Sequence, residues 1–430
     1  MKEIGLGLLG FGTVGAGVVR GLQDNGALIG SRLGVKPVLR RIADLDIASD
    51  RGVTVDASIL TTDAQAVIDD PAVDVVIELV GGTGVAKDFV LRALAQGKPV
   101  VTANKALLAD HGAEIFAMAR EKQTDIYFGA SVGGGIPIVR ALREGLSANR
   151  IESIHGILNG TCNYILTEME RNGVAFDDCL ADAQAKGYAE AEPSLDIDGF
   201  DTAHKAVILA SLAYGGTVPM EAVFVEGIRG LSALDIGYAR DLGYRVKLLA
   251  VIRSEAGAVE IRVHPSLVPM DSMLGSVSGV FNAVLVNGDM TGDTLYYGRG
   301  AGADPTASTV LGDVLDVVRN LESGAAHRIP AIPESGDAIQ LRPMPEITTR
   351  YYLRLCLKDE PGVLSMITHI LGRHQISLAS ALQKEAPEDN HVPVVFMTHA
   401  AKEAEVNAAL EEIAALECVA REPVRLRIEG

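Results

Sequence analysis

The sequence predicts an α/β protein: a Rossmann-type doubly wound parallel sheet, an α+β segment after it, and a C-terminal βαββαβ module of ferredoxin-like form. Three observations predict it. Strand-like and helix-like runs alternate from residue 4 onward, a G-x-G-x-x-G turn joins the first strand to the first helix, and a proline-rich stretch precedes a tail with its own strand and helix pattern.

The first strand, IGLGLLG, runs into Gly10-Phe11-Gly12-Thr13-Val14-Gly15 and then into the helix VGAGVVRGLQDN. Strand PVLRRIADLD, strand VDVVIELV, helix DFVLRALAQG and strand KPVVTAN follow, the alternation a parallel sheet needs. Residues 1–130 are assigned to this unit. Residues 131–320 form a middle segment that mixes helices with the strand-like AVEIRVHP and AVLVNG, its last helix free to return to the first sheet. Residues 321–348 are a linker, where the four prolines of IPAIPESGDAIQLRPMPEI favour an exposed connection. Residues 349–430 read as a small separate βαββαβ module. A chain of 430 residues is long enough for such a division.

With 38 basic and 56 acidic side chains the formal charge is −18. That surface repels phosphate backbones and anionic lipid, and no Lys/Arg stripe offsets it, which argues against nucleic-acid and membrane partners. MKEIGLGLLGFGTVG is too short an apolar run and too glycine-rich for a signal peptide. No stretch approaches the ~18 apolar residues of a membrane span, so a cytoplasmic protein is expected. Cys162, Cys179, Cys356 and Cys418 lack CxxC spacing and a nearby histidine pair, which favours free thiols over disulfides or zinc.

The glycine turn lies where a dinucleotide motif belongs, after a strand and at a helix start. Glycines there allow a tight turn and the close approach of a pyrophosphate to free helix N–H groups. Asp44, at the end of the second strand, is placed to accept hydrogen bonds from the adenosine ribose, which favours NAD. Arg40 and Arg41 just upstream offer a place for a 2′-phosphate, so NADP stays open. In VVTANK, residues 100–105, Thr102, Asn104 and Lys105 fall beyond the carboxyl end of a strand, the ligand side of such sheets. ASVGGGIPI, residues 130–138, suits either a chain crossing between domains or the offering of carbonyl oxygens to a hard cation. GYAEAEPSLDIDGFDTAHKAVILA gathers Glu190, Glu192, Asp196, Asp198 and Asp201 ahead of Lys205 and then turns apolar. Asp201 and Lys205 share one helix face, a geometry that an ordinary surface ion pair has as well.

Taken in order, GFGTVG, TANK, ASVGGGIP, NGTCNYIL, GYAEAEPSLDIDGFDTAHK and YYGRGAGADPTAS resemble homoserine dehydrogenase over about residues 4–320, and KDEPGVL in the tail resembles an ACT domain, an amino-acid-sensing module. The resemblance implies reversible NAD(P)-dependent oxidation of L-homoserine to L-aspartate 4-semialdehyde. It implies Lys205 as acid/base and Lys105 as the second lysine near the nicotinamide and the reacting oxygen. Glu190 and Asp201 then belong to the homoserine site, with Asp196 in support and Gly160 and Thr161 in the substrate loop. Thr13, Val14, Gly187 and Gly302 are the implied cofactor contacts. A monovalent cation, sodium or potassium, is implied on the carbonyls of Gly129, Val132, Gly134 and Ile136, although many relatives carry glutamate where this chain has Gly129. Relatives also often place a basic residue after the second strand, where this chain reads Ala43-Asp44-Leu45-Asp46, which adds weight to NAD. Threonine is the implied effector of the tail, and a homodimer built by the middle segment, or a higher homo-oligomer, the implied assembly. Cutting the chain near Pro345 should then leave a catalytic part that is active but indifferent to threonine.

Two rivals stand beside this reading. Aspartate-semialdehyde dehydrogenase chemistry needs a cysteine nucleophile with a histidine base, for which Cys162 is the only site candidate. A non-catalytic amino-acid-binding regulator would explain the tail, but not Lys205, Lys105 and the glycine turn together.

Overall fold

The computed structural model describes residues 2–333, 339–384 and 391–430. Strands β1 (Glu3–Leu9), β2 (Lys36–Ala43), β3 (Leu60–Thr61), β4 (Val75–Glu78), β5 (Val100–Thr102) and β6 (Ile126–Tyr127) alternate with helices α1 (Thr13–Leu33), α2 (Ala64–Asp69), α3 (Val85–Ala95) and α4 (Lys105–Glu121). The strands pair in parallel in the order β3-β2-β1-β4-β5-β6, the doubly wound arrangement that opens a crevice at the carboxyl ends of β1 and β4. All four residues of β4 are buried because helices cover both faces of the sheet, which is why its sequence reads as a continuous apolar run.

After a short α5 (Ile138–Arg140), β7 (Ile151–Ile157) feeds four helices, α6 (Gly160–Asn172), α7 (Phe176–Ala185), α8 (Ser194–Ile197) and α9 (Phe200–Tyr214). Then come β8 (Phe224–Val225), α10 (Ala233–Asp241), β9 (Tyr244–Glu255), β10 (Ala258–Pro269), β11 (Phe281–Gly288), β12 (Gly292–Arg299) and α11 (Ala303–Ser323). Helix α11 returns to the first sheet: its Val310, Val314, Val317 and Val318 share a core with Leu6, Leu8 and Val18. Gly17 of α1 has to be small there, since a Cβ would lie 2.9 Å from the Ala303 carbonyl oxygen.

The tail consists of β13 (Thr348–Lys358), α12 (Val363–Arg373), β14 (Leu378–Gln383), β15 (His391–Thr398), β16 (Ala401–Lys402), α13 (Glu403–Ala414) and β17 (Val419–Ile428). Its four long strands run in the order β17-β13-β15-β14, as a βαββαβ module requires. The module is not separate, however. β17 pairs in parallel with β10, Ser266 opposite Arg427 and Leu267 opposite Ile428, so tail and middle segment form one eleven-stranded sheet. An edge strand left with open N–H and C=O groups gains by accepting such a partner, and the local sequence of neither strand reveals it. The linker also departs from expectation. Ala331 is buried, and the backbone around Leu341 bonds to Val259 on both sides, closing a further bridge beside β10. Residues 334–338 of that stretch lie outside the described residues. No helix among the described residues is long and apolar enough to cross a membrane.

Candidate active site

The carboxyl ends of β1, β5 and β7 and the N-termini of α4, α6, α9 and α11 converge on a cleft of about 570 Å³. Its lining runs from Val14, at the start of α1, past Lys105 to Glu190, Asp196, Asp201 and Lys205.

At the cofactor end the three motif glycines serve three physical needs. A Cβ on Gly10, whose φ is +96°, would strike the Leu79 carbonyl at 2.5 Å, and one on Gly15 would strike the Gly10 carbonyl at 2.2 Å. Gly12, by contrast, faces open space and N-caps α1 without any side-chain cap, leaving the first N–H groups of a 21-residue helix for an anion. Asp44 Oδ2 accepts from the Phe11 backbone N at 2.5 Å and Oδ1 from Asp46 N at 2.9 Å, so this carboxylate braces the turn it borders. Thr13 is exposed at the mouth of the turn, and Gly187 and Gly302, both with positive φ, line the cleft. The resident residues therefore fit a dinucleotide.

Two expected contacts turn inward instead. Thr102 Oγ1 donates to Glu78 Oε2 at 2.6 Å, and Asn104 caps α4 through Leu107 N while its amide donates to the Gly82 carbonyl at 2.7 Å. These side chains shape the loop after β4 rather than reach into the cleft. Arg40 pairs with Glu3, and Arg41 with Asp70 and the Ser58 carbonyl, so neither is held at Asp44; the arginine that approaches it is Arg51, which is bonded to Asp46.

The acidic stretch resolves into one buried carboxylate between two ammonium groups. Asp201 and Lys205 lie one turn apart on α9, and Lys105 is the first residue of α4, so two helix starts bring the three groups together. Lys205 Nζ donates to Asp201 Oδ2 at 2.6 Å and to the Leu158 carbonyl at 2.7 Å, while Lys105 Nζ is 2.8 Å from Asp201 Oδ1. Burial pushes the Asp201 carboxyl up, but Lys205 and Lys105 outweigh that and hold it well below the usual carboxylate range. For Lys105, burial pulls the ammonium down and the charge and hydrogen bond of Asp201, helped by Asp196 and Glu190, more than restore it, leaving it above the ordinary lysine value. Asp196 is raised, first by burial and then by the Asp201 charge.

Asn159, which the sequence reading passed over, ties this cluster together. Its amide donates to Asp196 Oδ1 and Asp201 Oδ2, each at 2.8 Å, and its oxygen caps α6 by accepting from Cys162 N at 2.8 Å. An asparagine directly before a helix start is an N-cap signal, and that was the clue available. Gly160 must lack a side chain because a Cβ would lie 2.8 Å from the Val280 carbonyl, and Thr161 Oγ1 donates to the Tyr188 carbonyl at 2.6 Å, closing the wall beside Gly187. Glu190 is exposed on the cleft wall. Glu192 accepts from the Ser194 backbone, and Asp198 pairs with Arg229 away from the lysines. Cys162 is fully buried with its thiol donating to the Asp196 carbonyl, and burial raises it far above an ordinary thiol, so it is no nucleophile.

Of the glycine-rich loop, Gly134 lines the cleft, while Gly129, Val132 and Ile136 are buried behind it. The Gly134 carbonyl already accepts from Thr309 Oγ1 and that of Ile136 from Ile138 N. The buried Asp313 carboxyl, pushed up to about 7 by burial, accepts from Gly129 N and fills the space a side chain at 129 would need.

An anion-binding helix start and a lysine-held carboxylate facing one another across a single cleft suit hydride exchange at an oxygen-bearing carbon, and the molecule is an NAD(P)-dependent oxidoreductase. The family descriptions "Homoserine dehydrogenase, NAD binding domain", "Homoserine dehydrogenase" and "ACT domain" match residues 10–129, 137–315 and 351–418. Homoserine dehydrogenases of Neisseria gonorrhoeae and Pseudomonas aeruginosa are each 46% identical, the alignments covering 100% of this chain and 99% of each relative. The crystal structure of a homoserine dehydrogenase from Thiobacillus denitrificans superposes with a TM-score of 0.95 at 46% identity, covering 100% of this chain and 99% of that one. The chain belongs to the homoserine dehydrogenase family.

Proposed function

We propose that this chain oxidises L-homoserine reversibly to L-aspartate 4-semialdehyde through Lys205, Asp201 and Lys105, with Glu190 at the substrate ammonium. NAD(P), when bound, takes or returns the hydride. In the reductive direction negative charge grows on the aldehyde oxygen; Lys205 stabilises it and delivers the proton, and in the oxidative direction its neutral form removes the hydroxyl proton. Asp201 aims both lysines at one point, and Lys105 adds a second positive charge beside the same oxygen. Asn159 keeps Asp201 and Asp196 in register, and Asp196 supports Lys205 from behind. The observation that carries the reading is the single buried carboxylate shared by two lysines on the cleft wall. Reduction of NAD(P) that depends on homoserine and needs no phosphate tests it; absence of that activity would overturn it.

The same reading extends to partners. Threonine is the proposed effector, bound at the turn Asp359–Gly362 where Gly362, with φ +94°, opens α12 without a side-chain cap. Truncation near Pro345 is a poor test, because it would strip β17 from β10 and leave the buried Arg262 without Glu429. Asp359→Ala in the full chain is the better one: homoserine oxidation should persist while inhibition by threonine is lost, and unchanged inhibition would count against this site. A monovalent cation is proposed on the carbonyls of Gly129, Val132, Gly134 and Ile136, where it would stiffen the loop under the substrate. The open edge of β12, with Tyr297 exposed, supports a homodimer built by the middle sheet, and the four free cysteines suit a cytoplasmic location.

A further inference from the structure

Asn282, the second residue of β11, is 1% exposed, and its side-chain oxygen has no hydrogen-bond partner among the described residues. A buried amide oxygen left unpaired is costly, so it calls for a partner that arrives from outside. The strand register says from where. Ala283 stands opposite Ile157, so the chain leaving β7 passes Asn282 as Leu158, Asn159 and Gly160, and Asn282 itself stands opposite Gly298, just before Gly300. Both neighbouring glycines leave room for this one side chain. A Cβ on Gly300 would sit 2.1 Å from the amide carbon and nitrogen of Asn282, and one on Gly160 would sit 3.6 Å from its oxygen. Asn282, Gly160 and Gly300 all line the cleft, together with Val14 and Gly302 and with Asp201 and Lys205.

We propose that Asn282 binds the carboxamide of the nicotinamide ring and thereby fixes which face of the ring meets the substrate. The inference rests on the dehydrogenase reading above and adds a residue to it. An asparagine amide offers an acceptor and donors in one plane. A carboxamide answers both across one planar pair, whereas the substrate carboxylate only accepts, its ammonium only donates and its hydroxyl offers both at a single atom. The carboxamide is carried on the ring carbon next to the one that exchanges hydride, so it has to lie close to the substrate, and Asn282 lines the same cleft as Asp201 and Lys205.

The test measures binding as well as rate. Calorimetric titration compares NADH with the reduced 3-acetylpyridine analogue, in which an acetyl group replaces the carboxamide and the N–H donors are gone. Wild type should prefer NADH roughly tenfold, the worth of one hydrogen bond in a dry site. Asn282→Leu should bind both equally, at the level of the analogue, and its ligand-free Tm should match or exceed that of wild type because an unsatisfied oxygen has been removed. Asn282→Asp, which keeps the acceptor, should retain a preference for NADH. An unchanged preference in Asn282→Leu overturns the proposal, as does a preference lost equally in the Asp variant. A rise in homoserine KM alone would reassign Asn282 to the substrate and overturn it too. If wild type shows the NADH preference but does not oxidise homoserine, the functional reading fails and the contact stands.

Discussion

Two buried carboxylates in this molecule are held in nearly the same way and serve opposite ends. Asp201 lies between Lys205 and Lys105, and Glu429 lies between Arg262, at hydrogen-bond distance, and Arg253. In both, burial pushes the carboxyl up and the neighbours pull it far below its usual range: Lys205 and Lys105 for Asp201, Arg262 and the hydrogen bond from His155 for Glu429. The difference is in the cations and in what covers them. Lysine can give up a proton, and Lys105 keeps 35% of its side chain exposed to the cleft; arginine cannot, and Arg262 is wholly buried in the sheet where β10 meets β17. Similar electrostatics give an open cluster where the cations are lysines that line the cleft, the site proposed above to handle the proton, and a sealed joint where the principal cation is a buried arginine. The joint continues through Arg427, which bridges Glu403 of the tail and Glu226 before α10, and through Arg354 and Tyr352 on Asp235.

The comparison breaks most easily at Lys205. Lys205→Ala should lower homoserine turnover by ~10² to 10⁴, the range for loss of a general acid/base, with NADH binding retained. Steady-state rates and a binding titration decide it, and turnover near wild type would remove Lys205 from the reaction. Glu429→Gln should do the reverse. Arg262 keeps only Glu260, so stability should fall by about 3 kcal/mol, the lower end of the cost of orphaning a buried charge, while the rate per folded molecule stays close to wild type. Urea unfolding and active-site titration separate the two effects.

Acid titration sharpens the parallel. A carboxylate whose folded value is depressed contributes stability above its unfolded value, about 4, and loses it as pH falls toward the folded value. The urea midpoint of wild type should therefore drop from about pH 5 downward. Glu429→Gln and Asp201→Asn should each make that slope shallower, and a slope identical to wild type in either variant would mean that its carboxylate is not held by the neighbouring cations. The smallest effect is expected at the rim, at Asp44. Asp44→Ser removes the charge that faces a 2′-phosphate and should shift kcat/KM toward NADP by roughly tenfold, one hydrogen bond or a weak repulsion. An unchanged NADP to NAD ratio would leave Asp44 with only its turn-bracing bonds from Phe11 and Asp46.

By itself the sequence determined what depends on neighbours in the chain. The glycine turn, the strand and helix alternation to residue 130, the βαββαβ order of the tail and the Asp201–Lys205 face are all local patterns, set by backbone freedom, side-chain period and helix spacing. The tertiary structure alone decided what depends on partners distant in the chain. β10 carries Glu260, Arg262 and His264 as buried residues, a pattern that looks wrong for a core strand until Glu429, 167 positions beyond Arg262, closes on it. The same holds for Lys105 on Asp201, for Asn159 between two aspartates, for Thr102 and Asn104 turning away from the cleft, and for β17 completing the edge of β10. Each of these is a pairing of polar groups that burial makes obligatory, and burial is a property of the folded chain as a whole, which no local stretch of residues records.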